Sequence, residues 1–374
     1  MWNLTGNSVY RSEALSRAPP TSRTRVRAAI NVGLLIPMHG SAGMFGSSCL
    51  ACGVLAAEEI NAEGGLLGRE VHLVPIDGAG HPEEVVDRVD RLVRWEAIDV
   101  VAGWHLSHVR RAVAAHLQGQ LPYVYSALYE GGERTEGVFL TGETPDRQIV
   151  PTMGWLAREL GIRRWAVVGD DYLWPRGSMA AVHALTRRLG TEIVDEMYVP
   201  LGQENFGAVL HRLARSRADG VLMLLVGQDA VHFNRAYAAA GLDRSMIRLS
   251  PLMDENMLLA SGFEATRDLY SAAAYFEALT TPSALDLVGR YAARFGADAP
   301  PLNSMGESCY EALRLLAALT RKVSSLRVAD LLHTDATVGY DGPRGSVHLR
   351  NHHLVQDIHL ARADGTMFDV VTRL

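Results

Sequence analysis

The side chains best suited to binding a small molecule come directly after the predicted strands. The third strand is followed by residues 103–108, in which Ser107 opens a helix and His105 precedes it by two positions. A serine hydroxyl and the free N–H groups of a first helical turn can hold a carboxylate or a carbonyl oxygen. A plain helix-capping serine is the alternative interpretation, and the residue type leaves both open.

Aromatic residues recur in the segments that follow the fourth, sixth and tenth strands. In open α/β sheets, ligands bind beyond the carboxyl ends of the strands, so these segments should line one cleft. An aromatic wall with a few polar atoms suits a small, partly apolar ligand. We therefore predict ten ligand-binding residues: Ser107, Tyr125, Trp174, His105, Ser126, Ala127, Tyr172, Gln228, Asp254 and Tyr275.

Two neighbouring acids, Asp254 and Glu255, follow the ninth strand and bear on the charge of the ligand. An α-amino acid needs a carboxylate for its ammonium group, whereas a neutral amide needs acceptors for its N–H groups and a donor for its oxygen. A buried, unpaired carboxylate is costly beside a neutral ligand. The two acids also suit the first turn of a helix, where they complement its dipole, so they leave the choice open.

The other reactive residues do not combine into a catalytic or metal-binding pattern. Cys49 and Cys52 form a C-x-x-C within a predicted helix, but the chain has only one further cysteine, Cys309, so no second pair completes a zinc site. Small packing residues are the better interpretation. The chain also lacks a P-loop and a dinucleotide-binding glycine motif. We predict no catalytic residues, no bound metal and no cofactor, even though histidines recur at positions 348, 352, 353 and 359.

Strands and helices alternate along most of the chain, which predicts an α/β fold. Short apolar runs, typical of parallel strands buried on both faces, lie at residues 30–36, 70–76, 99–103, 121–125, 137–141, 164–169, 192–199, 220–226, 247–252 and 269–275. Helical stretches lie at residues 45–62, 83–96, 107–117, 149–160, 176–189, 205–216, 229–240, 283–295, 303–322 and 328–333. Short strands follow at residues 345–349, 356–363 and 366–371. Because one doubly wound sheet does not comfortably hold so many strands, two lobes are expected.

The bulk composition is that of a globular protein without a strong charge bias. The 374 residues are 48% hydrophobic and 21% charged, with a formal net charge of −6. These values predict no direct nucleic-acid partner, and no apolar run approaches the ~20 residues of a membrane span. Residues 1–29 are basic and contain no apolar secretory region, so we predict a disordered tail and a cytoplasmic location.

A glycine motif after the first predicted helix carries a family resemblance. Residues 59–69 read E-x-N-x-x-G-G-x-x-G-R, in which Gly64 and Gly65 suit a helix end. The motif and its placement resemble the type I periplasmic-binding-protein fold, in the leucine/isoleucine/valine-binding family. That resemblance implies two lobes, each a parallel sheet flanked by helices, with three crossovers of the chain between them. Mapped onto this sequence, lobe one is residues 30–142 and 272–335, and lobe two is residues 143–271 and 336–374.

Within that family, several segments are similar to those of the amide-sensing regulators of amidase and nitrile hydratase operons. The similar segments are residues 104–111, 129–131, 171–176, 226–227 and 351–353. Those regulators bind short aliphatic amides or urea between their lobes, which implies that Ser107, Tyr125 and Trp174 contact the ligand. His105 and Trp174 stand where tyrosines are found there, and Ala127 stands where a threonine is found, so this wall has fewer hydroxyl groups.

The favoured hypothesis is a cytoplasmic sensor that binds a short amide or urea and regulates amidase-type gene expression through a partner protein. Ligand contacts made to both lobes only in the closed form would shift the open–closed population. The alternative is an ABC-transporter solute-binding protein for branched-chain amino acids, amides or urea. An enzyme on a similar scaffold is the third hypothesis, and a homo-oligomer is left open.

Overall fold

The computed structural model describes residues 28–334 and 337–374, which form two lobes, each built on one β-sheet flanked by helices. The strands are β1 (Ala29–Ile36), β2 (Glu70–Asp77), β3 (Val100–Gly103), β4 (Tyr123–Tyr125), β5 (Val138–Leu140), β6 (Arg164–Asp170), β7 (Glu192–Val199), β8 (Gly220–Leu224), β9 (Ile247–Ser250), β10 (Leu269–Ala273), β11 (Gly339–Gly342), β12 (Gly345–Arg350), β13 (His353–Val355), β14 (His359–Asp364) and β15 (Met367–Arg373).

The helices lie between these strands, as the alternating sequence pattern predicts. They are α1 (Gly46–Ala62), α2 (Pro82–Arg94), α3 (Ser107–Leu117), α4 (Ile149–Glu159), α5 (Leu173–Leu189), α6 (Gly207–Leu213), α7 (Gln228–Ala239), α8 (Glu255–Ser261), α9 (Pro282–Phe295), α10 (Ser304–Val323) and α11 (Val328–Leu331). Short 3-10 turns occur at Gly43–Phe45, Leu242–Arg244, Phe263–Ala265 and Leu332–Thr334.

Each sheet has a parallel centre, in agreement with the predicted two-lobed α/β fold. The first sheet has the strand order β11-β12-β13-β5-β4-β3-β1-β2, and the second has the order β15-β14-β10-β9-β8-β6-β7. Pairing is parallel throughout β1–β5 and throughout β6–β10. Every residue of β3 and of β8 is buried, as expected for strands covered on both faces.

The edges of both sheets contain antiparallel strands, so each sheet is mixed around its parallel centre. Strands β11, β12 and β13 pair antiparallel with one another, and β14 pairs antiparallel with both β10 and β15. For β11–β12, β12–β13 and β14–β15 the cause is the length of the connections, because a two-residue link can join only antiparallel neighbours. Asn351 and His352 form one such link, with left-handed φ values of 52° and 61° that are typical of a tight hairpin turn.

The chain crosses between the lobes three times, but the last crossing differs from the boundary expected at residue 336. Strands β11 to β13 belong to the first sheet, where β13 pairs with β5 through His353 and Leu140. Only β14 and β15 return to the second sheet, so the chain crosses between Val355 and His359. A sequence pattern of short strands does not specify which sheet those strands extend.

Helix α5 begins earlier than the sequence pattern predicts, and this places Trp174 in a helix. The predicted start followed Pro175, whereas the helix begins at Leu173 with Tyr172 as its N-cap residue. Proline is tolerated in a first turn, because the N–H that it lacks has no partner within the helix there. Trp174 therefore occupies the second helical position and its direction is fixed by the helix.

The glycine motif joins α1 to β2. Gly65 has φ +76°, and a Cβ at this position would lie 2.1 Å from the Arg69 carbonyl oxygen, so the turn requires glycine. Asn61 ties the helix to the strand, because its side chain accepts from Val71 N at 2.7 Å and donates to Val71 O at 3.0 Å. The motif is thus structural and lies outside the site described below.

One helix of the described chain passes a simple test for membrane spans. The stretch Gly43–Ala62 is long and apolar enough to cross a bilayer, which the sequence inspection did not anticipate, and 67% of its most apolar window is buried inside the protein. The core helix of a globular protein passes the same test. The predicted N-terminal tail lies, up to residue 27, outside the described residues.

Candidate functional site

The two lobes meet around a cavity of about 10 Å³, which is close to the smallest volume that holds one water molecule. The lobes are therefore closed on each other in this structure. The cavity is lined by Trp104, His105, Leu106, Ser107, Tyr125, Ala127, Leu128, Tyr172, Trp174 and Leu252. Tyr125 is the last residue of β4, and the others follow β3 and β4 in the first lobe and β6 and β9 in the second, at the carboxyl ends of the strands.

The structure brings six of the ten predicted site residues together in this wall, namely Ser107, Tyr125, Trp174, His105, Ala127 and Tyr172. Four further lining residues were not predicted, namely Trp104, Leu106, Leu128 and Leu252. Each of the first three is adjacent in sequence to a predicted residue. The three leucines carry no chemical signal of their own, which is why sequence reasoning missed them. Trp104 did carry a signal, since it is an aromatic residue directly after β3 and its indole N–H is a donor.

The other four predicted residues do not line the cavity. Ser126 points away from it toward α10, where Ser308 Oγ lies 3.3 Å from Ser126 Oγ, because successive side chains of an extended segment face opposite sides. The Gln228 side chain lies 3.0 Å from His232 Nε2. Asp254 caps α8 by accepting from Met257 N at 2.9 Å, and Tyr275 is buried elsewhere in the interior.

His105 is a structural residue, although its position lies in the cavity wall. Its Nδ1 lies 3.1 Å from the Leu35 carbonyl oxygen, which can only accept, so Nδ1 carries the proton. Its Nε2 then accepts from the Tyr123 hydroxyl. Burial lowers the pKa of His105 to about 3, so the ring is neutral and both of its nitrogens are engaged. The ring is therefore not available to a ligand.

Three polar groups of the wall are available to a ligand. The Tyr125 hydroxyl donates to the His105 carbonyl oxygen at 2.7 Å, which leaves the lone pairs of Tyr125 Oη able to accept a hydrogen bond. Burial raises the pKa of Tyr125, so this hydroxyl keeps its proton. Ser107 Oγ and Trp104 Nε1 are buried and have no hydrogen bond of good geometry among the described residues, and Ser107 Oγ faces the Tyr125 hydroxyl, so a ligand would enter between these two groups.

Two helices, one from each lobe, begin at this wall. Helix α3 starts at Ser107 and α5 starts at Leu173, and neither first turn is capped by a side chain. Uncapped N–H groups and the positive end of the helix dipole favour a partial or full negative charge nearby. The cavity is therefore suited to a carbonyl oxygen or an anionic group.

The wall contains no Asp, Glu, Lys or Arg side chain among its described residues. The nearest cation along α3, Arg110, is buried behind the wall and is bound by Glu130 at 2.7 Å and Glu133 at 3.0 Å. Its guanidinium lies over the rings of Tyr125 and Tyr129, 5.3 and 4.8 Å from their centroids. Arg110 thus supports the aromatic wall through two of its nitrogens, while its Nη1 has no hydrogen-bond partner among the described residues.

Trp174→Ala should weaken ligand binding much more than it lowers the stability of the empty protein. Trp174 lines the cavity between the lobes together with residues of the first lobe, and the open form would expose it. Calorimetric titration and thermal unfolding of the empty protein measure the two effects. As a matched control, Trp165→Ala removes a fully buried tryptophan from β6 and should mainly lower stability. Unchanged affinity in Trp174→Ala would remove this residue from the site.

Comparison with known proteins identifies the family. The family model described as "Periplasmic binding protein" matches residues 29–367. A Leu/Ile/Val-binding protein of Rhizobium johnstonii is 27% identical over 199 residues, which are 52% of this chain and 54% of that protein. An amino acid binding protein of Pseudomonas aeruginosa is 24% identical over 58% of this chain and 57% of its own length. These matches span little more than half the length of the two relatives.

Solved structures agree with the fold over nearly the whole chain. An ABC transporter substrate-binding protein from Sphaerobacter thermophilus has a TM-score of 0.80 at 26% identity, covering 92% of this chain and 98% of its own. A solute-binding protein from R. palustris in complex with benzoate has a TM-score of 0.81 at 21% identity, covering 92% and 96%. The isoleucine complex of LivJ from Streptococcus pneumoniae has a TM-score of 0.78 at 17% identity, covering 92% and 99%.

These findings correct the expected cytoplasmic location. The matching family is one of periplasmic binding proteins, and the similar structures are solute-binding proteins of ABC transporters. None of the proteins named above is described as an amide-sensing regulator. Since the family model covers most of the sequence, the chain belongs to the periplasmic binding protein family.

Proposed function

We propose that this chain is the solute-binding protein of an ABC-type uptake system and that it closes on a small uncharged ligand of the amide or urea class. One observation carries the ligand assignment. The cavity between the lobes offers unpaired donors and acceptors but has no charged side chain in its wall. The transport assignment is supported by the relatives, which include several ABC-transporter binding proteins.

An amide matches the polar groups of the wall. Its carbonyl oxygen would accept from the Ser107 hydroxyl and the first-turn N–H groups of α3, and its N–H₂ group would donate to Tyr125 Oη. The rings of Tyr172 and Trp174 would cover its apolar part from the second lobe. Because both lobes supply contacts, the ligand would favour a closed form somewhat wider than the one in this structure, whose cavity has room for only one water molecule.

An α-amino acid fits this wall less well. Its ammonium group would be buried without a carboxylate partner, and the effective cost of an unpaired buried ion is several kcal/mol. Asp254 is the nearest acid in sequence to the lining residue Leu252, but it caps α8 and does not line the cavity. The relatives named as amino-acid-binding proteins therefore support the fold and the transport role, but they do not support an amino acid as the ligand of this chain.

A small aromatic carboxylate is the second candidate ligand. The two uncapped helix starts favour negative charge, and the R. palustris protein that shares the fold was solved with benzoate. The regulator hypothesis shares the amide ligand but rests on sequence resemblance alone. Its partner protein and a homo-oligomer stay predictions.

A ligand panel tests the proposal directly. Thermal unfolding is followed with acetamide, propionamide, urea, leucine, isoleucine and benzoate, since a ligand that binds only the folded protein raises the melting temperature. Acetamide, propionamide or urea should raise it, and calorimetric titration should then give the affinity. Stabilisation by leucine or isoleucine alone would contradict the amide assignment. Stabilisation by benzoate alone would favour the aromatic carboxylate.

Ser107→Ala should reduce the affinity for a bound amide by about 5- to 100-fold, since it removes a buried hydrogen-bond partner of the ligand oxygen. Ser304 provides a matched control. Ser304 also opens a helix and has a buried hydroxyl without a partner among the described residues, but it does not line the cavity. Ser304→Ala should leave the affinity unchanged. Equal losses in the two variants would show that the Ser107 effect is not local to the cavity.

A further inference from the structure

The lobes also contact each other through residues that do not line the cavity. Ser41, in the segment after β1, donates from its hydroxyl to Asp229 Oδ1 at 2.7 Å across the two lobes. The Gln228 backbone N–H donates to the Ser41 carbonyl oxygen at 3.0 Å. We call Ser41, Gly227, Gln228 and Asp229 the closure latch. None of the four is among the residues that line the cavity.

Bonds within the second lobe hold its half of the latch in place. Asp229 is buried, and its Oδ2 accepts from Gly202 N at 2.7 Å and from Gln203 N at 3.3 Å. Asp170 at the end of β6 accepts from Val226 N at 2.7 Å and so fixes the turn before α7. All of these bonds lie within the second lobe, so only the contact with Ser41 depends on closure.

Gly227 permits the close approach of the two lobes. Its φ is +48°, and a Cβ at this position would lie 2.1 Å from the Ser41 carbonyl oxygen and 3.4 Å from Met44 Sδ. Any larger residue would meet the backbone of the first lobe. The closed arrangement therefore requires glycine at position 227. The segment 226–227, one of those similar to the regulators, thus forms part of the contact between the lobes.

We propose that the Ser41–Asp229 latch sets the equilibrium between open and closed lobes, and thereby scales the affinity for every ligand by one common factor. Ligand contacts need the closed form, so the apparent dissociation constant is the intrinsic one divided by the closed fraction. Residues of the cavity wall change affinity according to ligand chemistry, whereas latch residues act as positioning residues. The inference rests on the proposed two-lobe binding function but not on the ligand being an amide.

The test compares Ser41→Ala with Ser346→Ala in the full chain. Ser346 also donates to an aspartate, Asp341, but within the hairpin of β11 and β12 in the first lobe. Affinities are measured by calorimetry for acetamide and for benzoate. Ser41→Ala should weaken both probes by the same factor of about ten or more, and Ser346→Ala should weaken neither. A loss confined to one probe, or no loss, would overturn the proposal.

Small-angle scattering of the ligand-free protein supplies a readout that needs no ligand. Gly227→Val cannot close, so its scattering profile serves as the open reference, and its melting temperature verifies that it is folded. The wild type should contain a closed fraction that Ser41→Ala reduces, with a larger radius of gyration in the variant. If the wild type binds neither probe, the amide proposal fails. The latch proposal is tested independently of that result, because identical scattering profiles of the wild type and Gly227→Val would overturn it.

Discussion

Arg344→Met should lower the free energy of unfolding by about 3–5 kcal/mol, because it leaves the Glu307 carboxylate buried without its partner. The side chains of Arg344 and Glu307 are 2% and 0% exposed, and Arg344 Nε donates to Glu307 Oε2 at 2.7 Å. Arg344 Nη1 also donates to the Thr141 carbonyl oxygen at 3.0 Å and to Gln356 Oε1 at 2.8 Å. The guanidinium is thus well hydrogen-bonded, whereas Glu307 Oε1 has no partner among the described residues and burial raises the pKa of Glu307 to about 8, so the full loss is expected above that pH.

The position of this pair in the fold explains why its loss should destabilise both lobes. Glu307 belongs to α10, Thr141 follows β5 at the first crossing, and Gln356 lies in the last crossing. One guanidinium therefore joins a core helix to two of the connections between the lobes. It also holds the β11–β12 hairpin, from which it projects, against the first lobe.

Chemical denaturation measures the expected loss, and an exposed pair provides the control. Arg373 lies 2.9 Å from Asp357, with side-chain exposures of 67% and 53%, so Arg373→Met should cost at most about 1 kcal/mol. Replacing both buried partners, as Arg344→Met with Glu307→Leu, should recover much of the stability, since no charge is then left unpaired. If Arg344→Met alone were as stable as Arg373→Met, the buried pair would contribute little to stability.

The cavity wall could be predicted to a large extent because of one rule of α/β folds. Parallel strands bring their carboxyl ends to one edge, so Ser107, Tyr125 and Trp174 could be assigned to a shared site before any contact was known. The apolar runs located the strands themselves, since strands buried on both faces are apolar throughout. The alternation of strand and helix then predicted two lobes.

Side-chain direction and long-range pairing could not be predicted in the same way. Ser126 faces α10, while both of its neighbours line the cavity. Since side chains of an extended segment alternate between two faces, an error of one residue in the predicted register exchanges the residues that face the cavity with those that do not. Gln228 was assigned to the ligand, yet its backbone contacts Ser41, a residue 187 positions away (228 minus 41). Local sequence does not encode such a contact. The pairing of β13 with β5 was missed for the same reason.

Raising the pH from 6.5 to 8 should destabilise the folded protein, and Glu255→Gln should reduce this dependence. Burial raises the pKa of Glu255 to about 8 and that of Asp254 to about 7, and the Asp254 carboxylate raises the Glu255 value further. Glu255 Oε1 accepts from Glu277 N at 2.9 Å, but its Oε2 has no partner among the described residues. A protonated carboxyl is therefore favoured at this buried position.

The sign of the effect follows from proton counting. Unfolded Asp and Glu have pKa values near 4, so from there to about pH 8 the folded protein binds more protons than the unfolded chain. Stability then falls as the pH rises, by ~1.4 kcal/mol per pH unit for each extra bound proton, and levels off above the folded pKa values. His105 acts in the opposite direction. Its pKa in the folded state is about 3, so below about pH 6.5 the unfolded chain binds a proton that the folded protein does not, and stability falls as the pH is lowered.

The window from pH 6.5 to 8 covers the folded pKa values of both carboxyl groups. Burial also raises the pKa values of Asp170 and Glu277, and that of Glu307 to about 8, so these groups add to the wild-type slope, and Glu255→Gln removes only the part due to Glu255. Denaturation midpoints of the wild type should fall across this window, and those of Glu255→Gln should fall less, since glutamine keeps the shape but cannot ionise. Glu204→Gln replaces an exposed carboxyl and should retain the wild-type slope. The start of α8 also touches the first lobe, where Asn256 Nδ2 lies 3.1 Å from Ser48 Oγ. To the extent that closure adds to the burial of these carboxyls, ligand affinity should fall over the same pH range, and a flat affinity profile would show that they are equally buried in the open form.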